Sequence, residues 1–214
     1  MATPRFSLTT SYKPRTGDCL VLPFADRRTP CFDPKRLPKA LRDLKPGKDK
    51  GATVTAFTGA VGKAQIRVHV VRLDAEHSTD VIEARKMIPA AMDEKDPPKR
   101  VVAFVGADKP ELVHAAHEGA WLGGYRFDKY LTKKNAPPAV LLVTDGRPAK
   151  LRGALKRAET VFGYVNFARD VLNEPANEIH PPALGNAGRR APRQGALRGS
   201  GWGGRRRGRE RGPG

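Results

Sequence analysis

Apolar and polar positions alternate in two regimes along the first 172 residues. Phe6–Thr10 and Cys19–Phe24 read as strands, separated by a turn at 13–17 that contains proline and glycine. Ala52–Thr58 and Ala64–Leu73 read as a hairpin around Gly59–Gly62. In its second strand Ile66, Val68 and Val70 alternate with Arg67 and His69, the period of a strand with one buried face. Val101–Val105 and Ala139–Val143 are continuous apolar runs, which suit central strands covered on both faces.

The helical period appears between these runs. Arg36–Leu44 predicts a short helix ended by Pro46 and Gly47. Thr79–Glu94 predicts a longer one with Val81, Ile82, Ile88 and Met92 as its stripe. Pro89 inside it removes a hydrogen bond, so a kink or a break is expected there. Asp108 to Glu111 has the form of a capping box opening a helix through about Leu122. Pro148 to Leu172 predicts the longest helix, with Leu151, Leu155, Ala158, Phe162, Val165 and Leu172 along one stripe and Pro148 in the first turn. Strands alternating with helices argue for an α/β domain of three layers, a mixed sheet flanked by helices.

Composition changes this picture only after residue 184. The 30 residues 185–214 include ten glycines, nine arginines, no lysine and one acid, Glu210. So little apolar surface cannot offset chain entropy, and a disordered tail is expected. Net charge is +18 in 214 residues, of which +10 falls in 1–184 and +8 in the tail. Cys19 and Cys31 form no CxxC pattern and fit a reduced, cytoplasmic protein. No apolar segment at the N-terminus has the form of a signal peptide, and no run is long enough to span a bilayer.

Two strings are specific. Residues 118–130 read EGAWLGGYRFDKY, and residues 166–181 read NFARDVLNEPANEIHP, with Arg169, Asp170, Asn173, Pro175 and Asn177 at the informative positions. The first resembles the Glu-Gly-x-x-Leu-x-x-Tyr-x-Phe-Asp-x-Tyr signature of the leucyl aminopeptidases, the M17 two-metal exopeptidases. The second resembles the junction between the two domains of that family. The resemblance covers roughly residues 5–184. It implies an N-terminal α/β domain related in topology to macro domains (1–172, including the long helix), an inter-domain linker and the start of a catalytic domain (173–184), and then the divergent tail (185–214).

In the family, the resemblance implies, two divalent metals (manganese or zinc) sit in the catalytic domain. They are held there by a Lys, three Asp and a Glu within three strings, and none of these strings occurs in the 214 residues. Paired metals need bridging carboxylates at fixed geometry to generate hydroxide. No residue is therefore carried over as catalytic, cofactor-binding or metal-ligating. A truncated aminopeptidase-like chain, inactive alone, is the expectation. Peptide substrates and the family's homo-hexamer are expected only with the catalytic domain, and no membrane partner is expected.

The remaining candidates each have a plainer reading. His114 and His117 lie i,i+3 on one helix face before Glu118, but zinc needs three or four ligands, so partly exposed helix residues are expected. Tyr125, Phe127 and Tyr130 form either a base-stacking platform or part of a core. Arg169 and Asp170 suit a salt bridge or cap at a helix end. Gly59 to Lys63 is similar to a phosphate loop but lacks its spacing and its following helix. A macro-type topology alone transfers no ligand. Two readings of the tail stay open: an Arg/Gly-rich nucleic-acid-binding segment centred on Arg205–Arg209, or out-of-frame translation of a GC-rich gene. The first gives the alternative function, a nucleic-acid-binding module using the basic domain and its tail.

Overall fold

The computed structural model describes residues 4–47, 53–73, 79–92, 96–106, 110–132, 136–145 and 148–190. By its contacts the chain divides into two units, Met1–Asn166 and Phe167–Gly214.

In the first unit six strands form one mixed sheet: β1 (Phe6–Thr9), β2 (Asp18–Phe24), β3 (Thr53–Val61), β4 (Ala64–Arg72), β5 (Arg100–Val105) and β6 (Ala139–Thr144). Their order is β1-β6-β5-β2-β4-β3. Every neighbouring pair is parallel except β3 and β4. That pair is the expected hairpin, but its turn is Gly62-Lys63, with Gly62 at φ +63°, and Gly59 lies within β3.

Strand period sorts the core onto two faces. Cys19, Val21, Val101, Ala103, Val140 and Leu142 face a layer of α-helices. That layer comprises α1 (Thr79–Met92), α2 (Pro110–Gly123) and the first turns of α3 (Pro148–Leu172), through Met87, Ile88, Leu112, Ala116 and Leu151. Leu20, Leu22, Val102, Phe104, Leu141 and Val143 face the other way, with Ile66, Val68 and Val70 of β4. Phe32, Leu37 and Leu41 cover this second face. The α/β class and the three layers are as expected, with a thin third layer. The short helix expected at Arg36–Leu44 is instead two 3₁₀ turns, Pro34–Arg36 and Lys39–Leu41. Pro38, which lacks an N–H, separates them.

His69 departs from the one-faced reading of β4 and is buried, 3% exposed. β4 is an interior strand, and its neighbour Val71 packs in the helix-side core, so both faces are covered. α1 continues through Pro89 to Met92 without a break. Residues 108 and 109 of the expected capping box lie outside the described residues. α2 begins at Pro110 and carries Glu111 in its first turn.

α1 and α2 approach closely. At Gly119 a Cβ would overlap the carbonyl oxygen of Arg85 and stand 2.8 Å from its carbonyl carbon. At Gly123, one turn on, a Cβ would overlap the ring of Pro89. Each of these α2 glycines thus leaves room for an α1 residue, with the same four-residue spacing on both helices. Glu118 Oε2 meets Arg85 Nε at 2.6 Å beside this seam.

In the second unit, α4 runs Pro181–Arg190. It starts at Pro181-Pro182, prolines being tolerated in a first helical turn, and continues six residues past the compositional break at 184. The Leu184 N–H donates to the His180 carbonyl at 2.9 Å, closing its first turn.

Candidate functional site

The two histidines of α2 part company. His114 is exposed, with its ring 6.0 Å from that of Phe162. His117 is 1% exposed and lies under β1, its ring edge-on to Phe6 at 4.3 Å. Trp121 Nε1–H donates to His117 Nε2 at 3.1 Å, so the imidazole keeps its own proton on Nδ1. Glu159 Oε1 of α3 stands 3.8 Å from Nε2. Burial, and secondarily the nearby His114, pushes the His117 pKa down to about 4. Neutral and enclosed, with Nε2 already accepting a hydrogen bond, His117 is a core histidine. It does not fit as a ligand for the metals that the resemblance implies, since Nε2 is taken by Trp121 and Nδ1 carries the proton. Among the described residues no group of three His, Cys, Asp or Glu side chains is placed to hold a metal ion.

Glu118 begins the first string and pairs with Arg85 of α1. The aromatics after α2 divide between core and surface. Tyr125 and Phe127 are half-buried, whereas Tyr130 is 55% exposed, edge-on to Phe127 and with Lys129 Nζ 5.1 Å from its ring centre. Of the three rings, Tyr130 presents the most surface for stacking.

The second string closes α3. The Asn173 N–H and Nδ2 both donate to the Arg169 carbonyl, at 3.0 and 2.7 Å. A helix end leaves its last carbonyls without partners, and this asparagine serves one of them twice. A further turn follows, with the Glu178 and Ile179 N–H groups both donating to the Pro175 carbonyl. Arg169 and Asp170 are half-buried at this helix end.

Sequence reading missed one polar cluster. Asp18 is 2% exposed at the start of β2, in register with Arg100 of β5. Arg100 Nε donates to Asp18 Oδ1 at 2.9 Å and Nη2 to Oδ2 at 2.7 Å, a two-pronged pair. The Tyr12 hydroxyl and the Arg15 N–H also donate to Oδ2, each at 2.9 Å. Burial first, and then the Asp18 charge, pushes the Tyr12 pKa far up, so its hydroxyl stays protonated as a donor. The residues are 82 apart in the chain, and no local spacing announces the pair. The cluster joins two strands and holds no reacting group. The hairpin turn at Gly62-Lys63, set aside as a phosphate loop, lies beside this end of the sheet. With Pro14, Arg15, Thr16, Val61 and Ala64, Lys63 lines an open depression of about 400 Å³.

No family model matches the chain. Curated relatives do, among them proteins named probable cytosol aminopeptidase. That of Solibacter usitatus is 27% identical over 145 residues, covering 66% of this chain and 30% of the relative. That of Caulobacter vibrioides is 32% identical over 142 residues, covering 58% and 28%. That of Tropheryma whipplei is 37% identical over 75 residues, covering 33% and 15%. Among solved structures, a mutant of tomato leucine aminopeptidase superposes with a TM-score of 0.63 at 16% identity, over 89% of this chain and 42% of that one. The bottromycin maturation enzyme BotP in complex with Mn superposes at 0.55 and 22% identity, over 81% and 35%. The chain therefore spans less than a third of the length of these curated relatives. The likeness read from the two strings is borne out: the chain is similar to the N-terminal region of cytosol aminopeptidases, and its sheet and helices have the fold of that region. Among the described residues no helix is long and apolar enough to cross a membrane.

Proposed function

We propose that residues 4–172 are the non-catalytic domain of an aminopeptidase-type protein, a scaffold that does not hydrolyse peptides by itself. The observation that carries this reading is how the signature residues are used. Glu118 pairs with Arg85, Gly119 and Gly123 admit α1, and Asn173 caps α3. These residues build the fold and converge on no reacting centre. Divalent metal and peptide substrate would belong to a catalytic domain bearing the family's other motifs, and the homo-hexamer would form through that domain. The relatives' name, cytosol aminopeptidase, supports a cytoplasmic location.

The test is direct. The purified chain, given millimolar Mn²⁺ or Zn²⁺, should leave leucyl-anilide substrates unhydrolysed above background. Metal-dependent turnover that follows this chain through successive columns would overturn the proposal.

A second reading, binding to nucleic acid, is favoured by one surface. Lys35, Arg36, Lys39, Arg42 and Lys45 are all exposed on the segment that covers the second face of the sheet. Binding through several phosphates weakens steeply with salt, so a salt titration with an oligonucleotide tests it. An affinity that is absent at low salt removes this reading.

A further inference from the structure

We propose that the depression at the start of β2 and the tip of the β3–β4 hairpin is an anion site for a phosphate group. This inference is independent of the aminopeptidase reading. Two separate stretches of chain converge there, Pro14–Thr16 from the β1–β2 loop and Val61–Ala64 from the hairpin. Their polar side chains are donors: the Arg15 guanidinium, the Lys63 ammonium and the Thr16 hydroxyl. Thr16 Oγ1 already accepts from the Gln65 N–H at 3.2 Å, which leaves its own O–H to donate outward.

The electrostatics point the same way. Arg15 and Lys63 are exposed, and among the described residues neither has an ion-pair partner. Asp18, the acid that the Arg15 N–H meets, is already taken. Arg100 neutralises it with two hydrogen bonds, and Tyr12 and the Arg15 N–H also donate to it. Asp18 thus fixes the backbone of Arg15 without cancelling its side-chain charge. The Lys99 stem lies against Gly17, beside Thr16, and adds a third cation to this end of the sheet. Pro14 and Val61 supply apolar edges beside these donors.

A tetrahedral phosphate oxyanion suits this set better than a carboxylate does. It offers three oxygens to a forked guanidinium, a point-charge ammonium and a hydroxyl. Its second negative charge matches the second cation. The same group occurs on a free small molecule and along a nucleic-acid backbone, and the two sources are separable by experiment.

The full chain, isotopically labelled, is titrated with pyrophosphate, then with adenosine monophosphate, then with a single-stranded oligonucleotide. Saturable shifts centred on the Thr16, Gly62 and Lys63 amides are expected. The double variant Arg15→Gln/Lys63→Gln should weaken that binding by about tenfold or more, as loss of charge-assisted hydrogen bonds does. A control of equal charge loss on α3, Lys156→Gln/Arg157→Gln, should change it less than about twofold, since those cations lie outside the depression. Preference for the small phosphates or for the oligonucleotide identifies the source. The proposal is overturned if the shifts centre on residues 35–45, if both double variants lose affinity equally, or if no phosphate compound moves the Thr16 and Gly62 amides. The four positions are exposed, so the variants should fold, and the shifts in the unmodified chain test the site without them.

Discussion

Gly119 of α2 sits against the carbonyl oxygen of Arg85, the oxygen that Pro89 of α1, having no N–H, leaves without its helical donor. The proline inside one helix and the glycine inside the other are two parts of one contact. Gly119→Ala would force a methyl onto backbone that has no side-chain freedom to yield. It should cost about 3 kcal/mol, at the upper end of overpacking effects, or prevent folding. Gly153→Ala, where a Cβ meets nothing within 4 Å in the second turn of α3, should instead stabilise by up to about 1 kcal/mol. Urea unfolding of both variants measures the contrast.

His117 makes stability depend on pH. Its pKa is about 4 in the folded protein, below the 6.5 of a free imidazole. The unfolded chain therefore binds the proton more readily. The stabilisation is full above pH 6.5, falls as pH drops from there to about 4, and is lost below. The shift corresponds to about 3 kcal/mol. Urea midpoints at pH 7, 5.5 and 4.5, compared with those of His117→Gln, isolate this group from the carboxylates. Parallel pH profiles in the two proteins would count against the assignment.

The Asp18 cluster should respond unevenly to substitution. Asp18→Asn leaves the Arg100 charge largely buried without its counter-ion, and about 3–5 kcal/mol of destabilisation is expected. Tyr12→Phe removes one hydrogen bond to the same carboxylate and should cost about 1–2 kcal/mol. In the double variant the second loss should be smaller than in the single one, because both act on one group. Chemical denaturation of the four proteins completes the cycle.

The end of α3 should be held locally. Asn173→Ala removes the side-chain bond to the Arg169 carbonyl, and about 0.5–1 kcal/mol of local stability should go with it. Hydrogen exchange of the amides from Phe167 to Asn173 should speed up while that of β5 and β6 stays unchanged. Leu172, 82% exposed, adds little burial to resist that fraying. Unchanged exchange at Asn173 would show that the cap is dispensable.

Elements whose signal is local were legible. The runs at Val101–Val105 and Ala139–Val143 gave interior strands, and the stripe from Leu151 to Phe162 gave the long helix. What depended on distant partners was not legible. Arg67 and His69 look like an outward face until β2 and β3 flank β4 and helices lie over it. Pro89 looks like a breaker until the glycines of α2 are seen to accommodate it. Asp18 and Arg100 are 82 residues apart. The depression lined by Arg15 and Lys63 needs the hairpin tip and the β1–β2 loop side by side, and neither segment encodes the other's place.

Phe6 pairs with Val140, so the first strand of the sheet waits for the last. Synthesis proceeds from the N-terminus at about 5–20 residues per second, and some ten seconds pass before that partner exists. Until then β1 has no strand neighbour, although His117 and Trp121, which flank the ring of Phe6, are made before it. The order of β2, β4 and β5 lets a central sheet assemble earlier, around an empty outer position. Nascent chains arrested before residue 139 would expose that vacancy as a landing place for chaperones, and release beyond residue 144 would close it.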